Sequence, residues 1–179
     1  MCKNRGRAAM IIDSLKLKNF RNYSDEEFKF SGGINIISGA NAQGKTNCAE
    51  AIFYLCTGYS PRAARDKQLI LAGENKAVVI GEAISAFGKV GVEIDFYGDK
   101  NKEIKINGVP VAKIGELIGN VNSVFFNPAE LKLIQEAPED RRRFLDISLS
   151  QMSSKYFYAL QKYKKVLTQR NNLLKEQDR

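Results

Sequence analysis

The alternation of apolar and polar residues predicts several β-strands in the first two thirds of the chain. Residues 14–20 (SLKLKNF) and 26–30 (EEFKF) alternate with a period of two, as half-buried strands do. Residues 34–38 (INIIS) form a short, mostly apolar run that is typical of a buried strand. The remaining predicted strands are 77–87, 89–97, 103–111 and 121–126. The third of these is expected to be a hairpin, because an Asn-Gly pair separates its alternating apolar residues.

A helical period appears directly after the glycines that follow residue 38, and again near the end of the chain. Residues 45–56 repeat apolar side chains at i, i+3, i+4 and i+7, and Gly58 is expected to end that helix. Pro128 and Pro138 each lie where a helix can begin. A long helix is predicted from about Ser153 onwards. Its apolar stripe consists of Tyr156, Leu160, Tyr163, Leu167 and Leu174. Because such a stripe needs a partner surface, we interpret the chain as a fragment of a longer protein.

Between the predicted strand at 34–38 and the helix that follows lies a match to the phosphate-binding pattern G-x-x-x-x-G-K-[ST]. It consists of Gly39, Ala40, Asn41, Ala42, Gln43, Gly44, Lys45 and Thr46. Glycines let such a loop fold tightly, so that backbone N–H groups and the positive end of the helix dipole face phosphate oxygens. Lys45 is expected to bridge the β- and γ-phosphates, and the Thr46 hydroxyl to complete a Mg²⁺ shell. The alternative is a glycine-rich turn that only caps a helix, and the strand–loop–helix context favours nucleotide binding.

Nucleotide hydrolysis would also need a Walker B carboxylate at the end of an apolar strand, and no segment after the loop has that pattern. The alternation in 92–96 (VEIDF) predicts a half-exposed strand, and 143–148 (RFLDIS) has a helical period. Residues 10–13 (MIID) have the apolar run followed by an Asp that Walker B requires, but they precede the loop. Residues 30–34 (FSGGI) look like the signature of ABC-type ATPases, yet they also precede the loop, and we interpret them as a turn.

Composition narrows the function classes further. The chain has no His, and its three cysteines lack metal-ligand spacing, which argues against His-based catalysis and most zinc sites. Cys48 and Cys56 are expected to be buried, reduced thiols. A GTPase should carry Asn-Lys-x-Asp, but Val78 stands where that Asp would be. No apolar run is long enough for a transmembrane helix, and residues 1–9 are expected to be a disordered extension.

The formal net charge of +8 is concentrated at the two ends of the chain. It is +5 over residues 1–23, −1 over 24–135 and +4 over 136–179. Basic ends around a neutral middle suit a polyanionic partner such as nucleic acid. The charge alone leaves open the alternative of a solvated face with a disordered tail.

Seven segments in order carry a more specific signal: LKLKNFRNY (15–23), INIISGANAQGKTN (34–47), EAIFYL (50–55), GYSPRAARDKQLI (58–70), KINGVPV (105–111), VFFNPAELKLIQEAPEDRRRFLDISLSQ (124–151) and YFYALQKYKKVLTQRNNLLK (156–175). Together they resemble the RecF family of bacterial recombination proteins, SMC-like members of the ABC ATPases. The resemblance covers about residues 10–179 and ends about halfway along a typical member.

The resemblance implies roles for several residues outside the glycine-rich loop. Asn47 matches an Asn that usually follows Walker A, and Arg21 matches an Arg that approaches the nucleotide; a solvated strand-end Arg is the alternative. Arg62 matches an Arg near the phosphate or DNA side, although Ala63 replaces the usual Thr. Asn127 lies near the Q-loop position in a loose alignment. Possible phosphate or DNA contacts are Arg62, Arg65, Arg141, Arg142 and Arg143, with internal salt bridges as an alternative for the last three.

The fold implied by the resemblance is an α/β ABC-type ATPase head. It would have a mixed β-sheet and an antiparallel β subdomain around the Walker A strand-loop-helix, followed by a helical segment. The expected organisation is a disordered extension at 1–9, the N-terminal part of the ATP-binding domain at 10–135, and the start of a truncated helical lobe at 136–179.

The function implied by the resemblance is ATP-dependent binding of DNA, at gaps or at junctions of single and double strands. The cofactors would be ATP and Mg²⁺, and the setting cytoplasmic DNA replication, repair, recombination and the SOS response. The partners would be DNA, a second copy in an ATP-dependent homodimer, and the mediator proteins RecO and RecR, with no membrane.

The full-length protein would be a weak DNA-dependent ATPase. Without Walker B and the signature, this chain alone is expected to bind ATP weakly or not at all and not to turn it over. The alternatives are a P-loop kinase of a small metabolite and a basic interaction module with a vestigial loop.

Overall fold

A computed structural model describes residues 10–85, 88–127 and 138–177 of the chain. The chain divides after Phe125 into two compact units. The first unit contains a sheet, a central helix and the glycine-rich loop, and the described part of the second contains two helices. The predicted boundary at residue 135, the predicted helix start at Pro128 and the predicted disorder of 1–9 all lie outside the described residues.

The first unit is built on a six-stranded sheet in which every neighbouring pair is antiparallel. The spatial order is β2-β1-β3-β4-β5-β6. The strands are β1 (Ile11–Phe20), β2 (Tyr23–Lys29), β3 (Lys76–Ser85), β4 (Gly88–Tyr97), β5 (Glu103–Ile106) and β6 (Val109–Val111). Its helices are α1 (Lys45–Thr57), a 3₁₀ turn (Asp66–Leu69) and the short α2 (Ile114–Leu117).

One face of the sheet is apolar because alternate residues of each strand point to the same side. Leu15 and Leu17 of β1 are fully buried, as are Val79 of β3 and Ile94 of β4. Helix α1 packs against this face and contributes five further core residues. The residues of α1 in the core are Cys48, Ala51, Tyr54, Leu55 and Cys56. The strands predicted at 14–20, 26–30, 77–87 and 89–97 are thus confirmed for the part that the structure describes.

The hairpin predicted around Asn-Gly is confirmed. Asn107 and Gly108 have φ of 51° and 78°, which is the left-handed pair that a two-residue hairpin turn requires. They join β5 to β6, whose outer residue Pro110 lies on the edge strand of the sheet. A Pro at an edge cannot donate a ladder hydrogen bond and therefore hinders pairing with another chain.

The buried strand predicted at 34–38 is not found. Ile34 and Ile36 are 90% and 86% exposed, and no described strand pairs with this segment, which has no regular secondary structure. The apolar run was correctly identified, but a strand also needs a hydrogen-bonded neighbour, and none of the described segments lies beside it. The loop therefore follows an exposed segment without regular secondary structure.

Two other strand expectations need correction. Residues 121–126 contain only an isolated bridge between Val121 and Ile118, and 122–127 have no regular structure. Residues 92–96 form a strand as expected but are largely buried rather than half exposed. Asp95, near the end of this strand, accepts a hydrogen bond from Lys76 at 3.0 Å within the antiparallel sheet. Pairing on both sides of β4 explains the burial that alternation alone did not indicate.

At Gly81 of β3, helix α1 packs closely on the sheet. A Cβ added there would meet Leu55 Cδ2 of the helix and would lie 3.1 Å from the carbonyl oxygen of Ser14. We expect Gly81→Val to lower the free energy of unfolding by about 1–3 kcal/mol, because the helix must move away from the sheet. The measurement is urea unfolding followed by circular dichroism.

Gly91 on the adjacent strand provides a matched control. A Cβ there would meet only Asn107 Oδ1, at 3.8 Å. Gly91→Val should therefore change the free energy of unfolding by no more than about 0.5 kcal/mol. Equal destabilisation by the two substitutions would contradict the close packing of α1 on Gly81.

The second unit consists of α3 (Pro138–Met152) and α4 (Ser154–Gln177), in the described part of that unit. The helix start predicted at Pro138 and the long helix predicted from about Ser153 are both confirmed. Tyr156 donates a hydrogen bond to Asp146 Oδ1 at 2.7 Å and so joins the two helices. None of the helices in the described part of the chain is both long and apolar enough to cross a membrane.

Candidate nucleotide-binding site

The loop between the exposed segment and α1 has a backbone suited to an anion. Ala42 and Gly44 both adopt left-handed φ values, of 66° and 101°. Gly44 has two reasons to lack a side chain. Its φ disfavours any L-residue, and a Cβ would lie 2.8 Å from the amide of Asn22 and the hydroxyl of Tyr23.

Helix α1 begins at Lys45 without a side-chain cap and without an acidic residue in its first turn. Most helices satisfy their first free N–H groups with a Ser, Thr, Asp or Asn side chain. Here those donors, together with the positive end of the helix dipole, lie beside an exposed loop and an exposed Thr46. This arrangement can bind a phosphate group.

The Lys45 side chain folds back over the loop. Its Nζ donates to the carbonyl oxygens of Gly39 and Ala40, at 2.8 and 2.6 Å. Gln43 Oε1 accepts a hydrogen bond from the Ala40 N–H at 3.1 Å. The ammonium group thus lies on the loop, where a phosphate chain bound by the N–H groups would meet it. The residues present therefore fit a nucleoside triphosphate.

Three consecutive residues at the turn between β1 and β2 form side-chain hydrogen bonds to the start of α1. Tyr23 donates its hydroxyl proton to the Gly44 carbonyl at 3.0 Å, and burial raises the pKa of that hydroxyl, so that it remains a donor. Asn22 Oδ1 accepts from Asn47 Nδ2 at 2.8 Å. Arg21 reaches Glu50 one turn further along. Positions 44, 47 and 50 share one helix face, so the turn and the loop are held together.

Glu50 is the centre of the polar network beside the loop. Its carboxylate is fully buried and accepts two hydrogen bonds from Arg21, through Nε at 3.0 Å and Nη2 at 2.9 Å. Ser60 Oγ donates to Oε1 at 2.6 Å, and Arg62 Nη1 lies 3.4 Å from Oε2. A buried carboxylate needs such partners, because an unpaired charge in the interior costs several kcal/mol.

Arg21 and Arg62 differ in how they are held. Arg21 has a left-handed φ of 57°, and its third donor, Nη1, bonds the carbonyl oxygen of Gln68 at 2.9 Å. Its side chain is 23% exposed. Arg62 uses Nη1 for both Glu50 and Asn47 Oδ1, the latter at 3.0 Å, and 41% of its side chain is exposed. The structure therefore brings both arginines to the first two turns of α1.

The remaining basic candidates are not all part of this cluster. Arg65 lies exposed in the segment before the 3₁₀ turn, where its N–H donates to Gln68 Oε1 at 3.1 Å. Arg141, Arg142 and Arg143 are exposed on α3 of the second unit, and Arg142 Nε donates to the Pro138 carbonyl at 3.2 Å. Asn127 is in an irregular segment of that unit.

Sequence reasoning missed Glu50, Ser60, Asn22 and Tyr23. Glu50 could have been noticed, because it is the one charged residue within the otherwise apolar helical run CAEAIFYLC. A lone charge on a core-facing helix predicts a buried partner of opposite sign. The other three had no such signal, since their contacts join segments that are far apart in sequence.

The expectation of reduced, buried thiols is confirmed for the two described cysteines. Cys48 and Cys56 are both free and buried. Burial raises the pKa of each thiol to about 11. Both are therefore uncharged at neutral pH and act as core residues of α1.

Comparison with known proteins connects the fold and the loop to one group of proteins. The family described as AAA domain matches residues 14–179. The DNA replication and repair protein RecF of Acetivibrio thermocellus is 49% identical over 167 residues, covering 93% of this chain and 45% of that protein. A solved structure of the recombination mediator protein RecF with ATP has a TM-score of 0.91 and 34% identity, covering 97% of this chain and 47% of the other. An SMC ATPase structure, from work on ATP-driven dimerization and DNA-stimulated activation, has a TM-score of 0.61 and 26% identity, covering 76% of this chain and 98% of that one.

The antiparallel sheet, the glycine-rich loop and the uncapped helix define an ATPase head of the RecF and SMC type. The chain belongs to the AAA domain family, and its curated homologues are RecF proteins. It spans about half the length of the curated relatives that it matches. The homology favours this class over a metabolite kinase.

Proposed function

We propose that this chain is the nucleotide-binding part of a RecF-like ATPase that acts on DNA in replication, repair and recombination. The nucleotide is ATP with Mg²⁺, bound at residues 39–47. The observation that carries the proposal is the first turn of α1, which has no side-chain cap and begins with Lys45, whose side chain folds over the exposed loop. Relatives solved with ATP support the choice of nucleotide.

Each site residue has a role in this proposal. The N–H groups of the loop and of the first turn of α1 bind the β- and γ-phosphates, and Lys45 neutralises their charge. Thr46, which is exposed at the start of the helix, contributes its hydroxyl to Mg²⁺. Arg62 adds a second positive charge beside Asn47. Arg21 holds the β1–β2 turn against the helix, and through it the edge of the site.

The full-length protein is proposed to bind DNA at gaps or junctions when ATP is bound, in the cytoplasm. The binding would depend on salt rather than on base sequence, because the candidate contacts are arginines suited to phosphates. These are Arg62, Arg65, Arg141, Arg142 and Arg143. An ATP-dependent homodimer, RecO and RecR complete the proposed set of partners. SMC ATPases, whose solved structure resembles this chain, are described as undergoing ATP-driven dimerization.

The test is equilibrium dialysis of the full-length protein containing this chain with Mg-ATP. Lys45→Ala should weaken binding by about tenfold or more, because a charge-assisted hydrogen bond to phosphate is worth about 1.5–3 kcal/mol. Lys100→Ala is the matched control, since Lys100 is an exposed lysine paired with Glu103 at 3.4 Å. It should bind Mg-ATP as the unmodified protein does. Unchanged binding by Lys45→Ala would contradict the proposed function.

A further inference from the structure

Glu50 is connected to Arg62 at both ends of the arginine. At the side chain, Arg62 Nη1 lies 3.4 Å from Glu50 Oε2. At the backbone, the link runs through Ser60, whose Oγ donates to Glu50 Oε1 at 2.6 Å. The same Oγ accepts the N–H groups of Arg62 and Ala63, at 2.9 and 2.7 Å. One buried carboxylate therefore sets both the start of the 60–63 turn and the direction of the Arg62 side chain.

The charges of this cluster do not cancel. Glu50 carries one negative charge, and Arg21 already meets it with two short hydrogen bonds in side-by-side geometry. The charge of Arg62 is therefore in excess, and its side chain is the more exposed of the two. Arg62 also bonds Asn47, which directly follows the Thr46 of the loop. The surplus positive charge thus lies at the edge of the phosphate-binding loop.

We propose that Glu50 is a positioning residue that holds Arg62 toward the phosphate chain of the nucleotide, an inference that rests on the proposed function. Arg21 neutralises the charge of the carboxylate. Glu50 therefore orients the Arg62 side chain without cancelling the positive charge of Arg62. Asn47 supports the guanidinium from the helix side. Glu50 itself is fully buried, so a nucleotide at the exposed loop would not reach its carboxylate. Its effect on the nucleotide passes through Arg62.

A double-mutant cycle in the full-length protein separates positioning from a general structural role. Glu50→Gln, Arg62→Ala and the double variant are compared by equilibrium dialysis with Mg-ATP. Glu50→Gln should weaken binding about fivefold or more when Arg62 is present, and less than about twofold when Arg62 is already Ala, because residues that act as one unit are not additive. Glu93→Gln, which breaks a partly exposed ion pair with Lys105, should leave binding unchanged.

If Glu50→Gln does not fold, as judged by thermal unfolding, Ser60→Ala replaces it in the same cycle. That variant removes the hydroxyl link to the Arg62 backbone and leaves every charge in place. Equal weakening with and without Arg62 would overturn the positioning role while leaving the proposed function intact, provided that Lys45→Ala still weakens binding about tenfold or more. Native binding by Lys45→Ala would overturn both.

Discussion

Replacing Glu50 by Ala is expected to lower the free energy of unfolding by about 3–5 kcal/mol. The carboxylate is fully buried and is bound by Arg21, Ser60 and Arg62. Without it, Arg21 remains three-quarters buried with an uncompensated charge, and the Ser60 hydroxyl loses its acceptor. Urea unfolding followed by circular dichroism measures the change.

Glu93→Ala is the matched control for this prediction. Glu93 also forms an ion pair, with Lys105 at 2.7 Å, but about a third of each side chain is exposed to solvent. Ion pairs in solvent contribute little to stability, so the free energy of unfolding should hardly change. A similar loss in both variants would show that burial of Glu50 has no special cost.

Replacing Tyr54 by Ala is expected to cost a comparable amount, about 3–5 kcal/mol, because it leaves a cavity at the centre of the first unit. Tyr54 is fully buried on α1 between Phe20 and Phe96, with ring centroids 6.5 and 5.1 Å away. Burial raises the pKa of its hydroxyl well above the ordinary value, and Asp66 adds to the effect. Denaturant unfolding again measures the change.

Tyr54→Phe separates the ring from the hydroxyl. It keeps the contacts with Phe20 and Phe96 and removes only the hydrogen-bonding group that faces Lys102 and Asp66. The expected cost is about 0.5–1.5 kcal/mol, the usual net value of one hydrogen bond. Equal losses for Ala and Phe would mean that the hydroxyl, and not the ring, stabilises this part of the core.

Much of the first unit could be predicted from periodicity because its strands bury one face. Alternation identified β1, β3 and β4, and the Asn-Gly pair identified the turn between β5 and β6. The segment 34–38 shows the limit of this reasoning. Its apolar run has the composition of a buried strand, yet burial requires a neighbour, and sequence does not state whether one is present.

The candidate site, like the first unit, could be predicted from the sequence only in part. The glycine-rich loop was predictable because its function depends on backbone shape and on a few residues that are adjacent in sequence. Arg21 and Arg62 were identified only by resemblance, and Glu50, which joins them, was not identified. Their contacts span 29 and 12 residues of chain, and no local pattern encodes such a distance.

By itself, the sequence determined the phosphate-binding loop, the helix that follows it and most of the strands, because each depends on local spacing and on side-chain type. Only the tertiary structure decided that the β1–β2 turn lies along α1, that Glu50 is buried, and that Arg21 and Arg62 meet there. The physical reason is that a buried charge must find its partners wherever the fold brings them. Those partners come from two separate segments, the β1–β2 turn and residues 60–62, which only the packing of α1 on the sheet brings together.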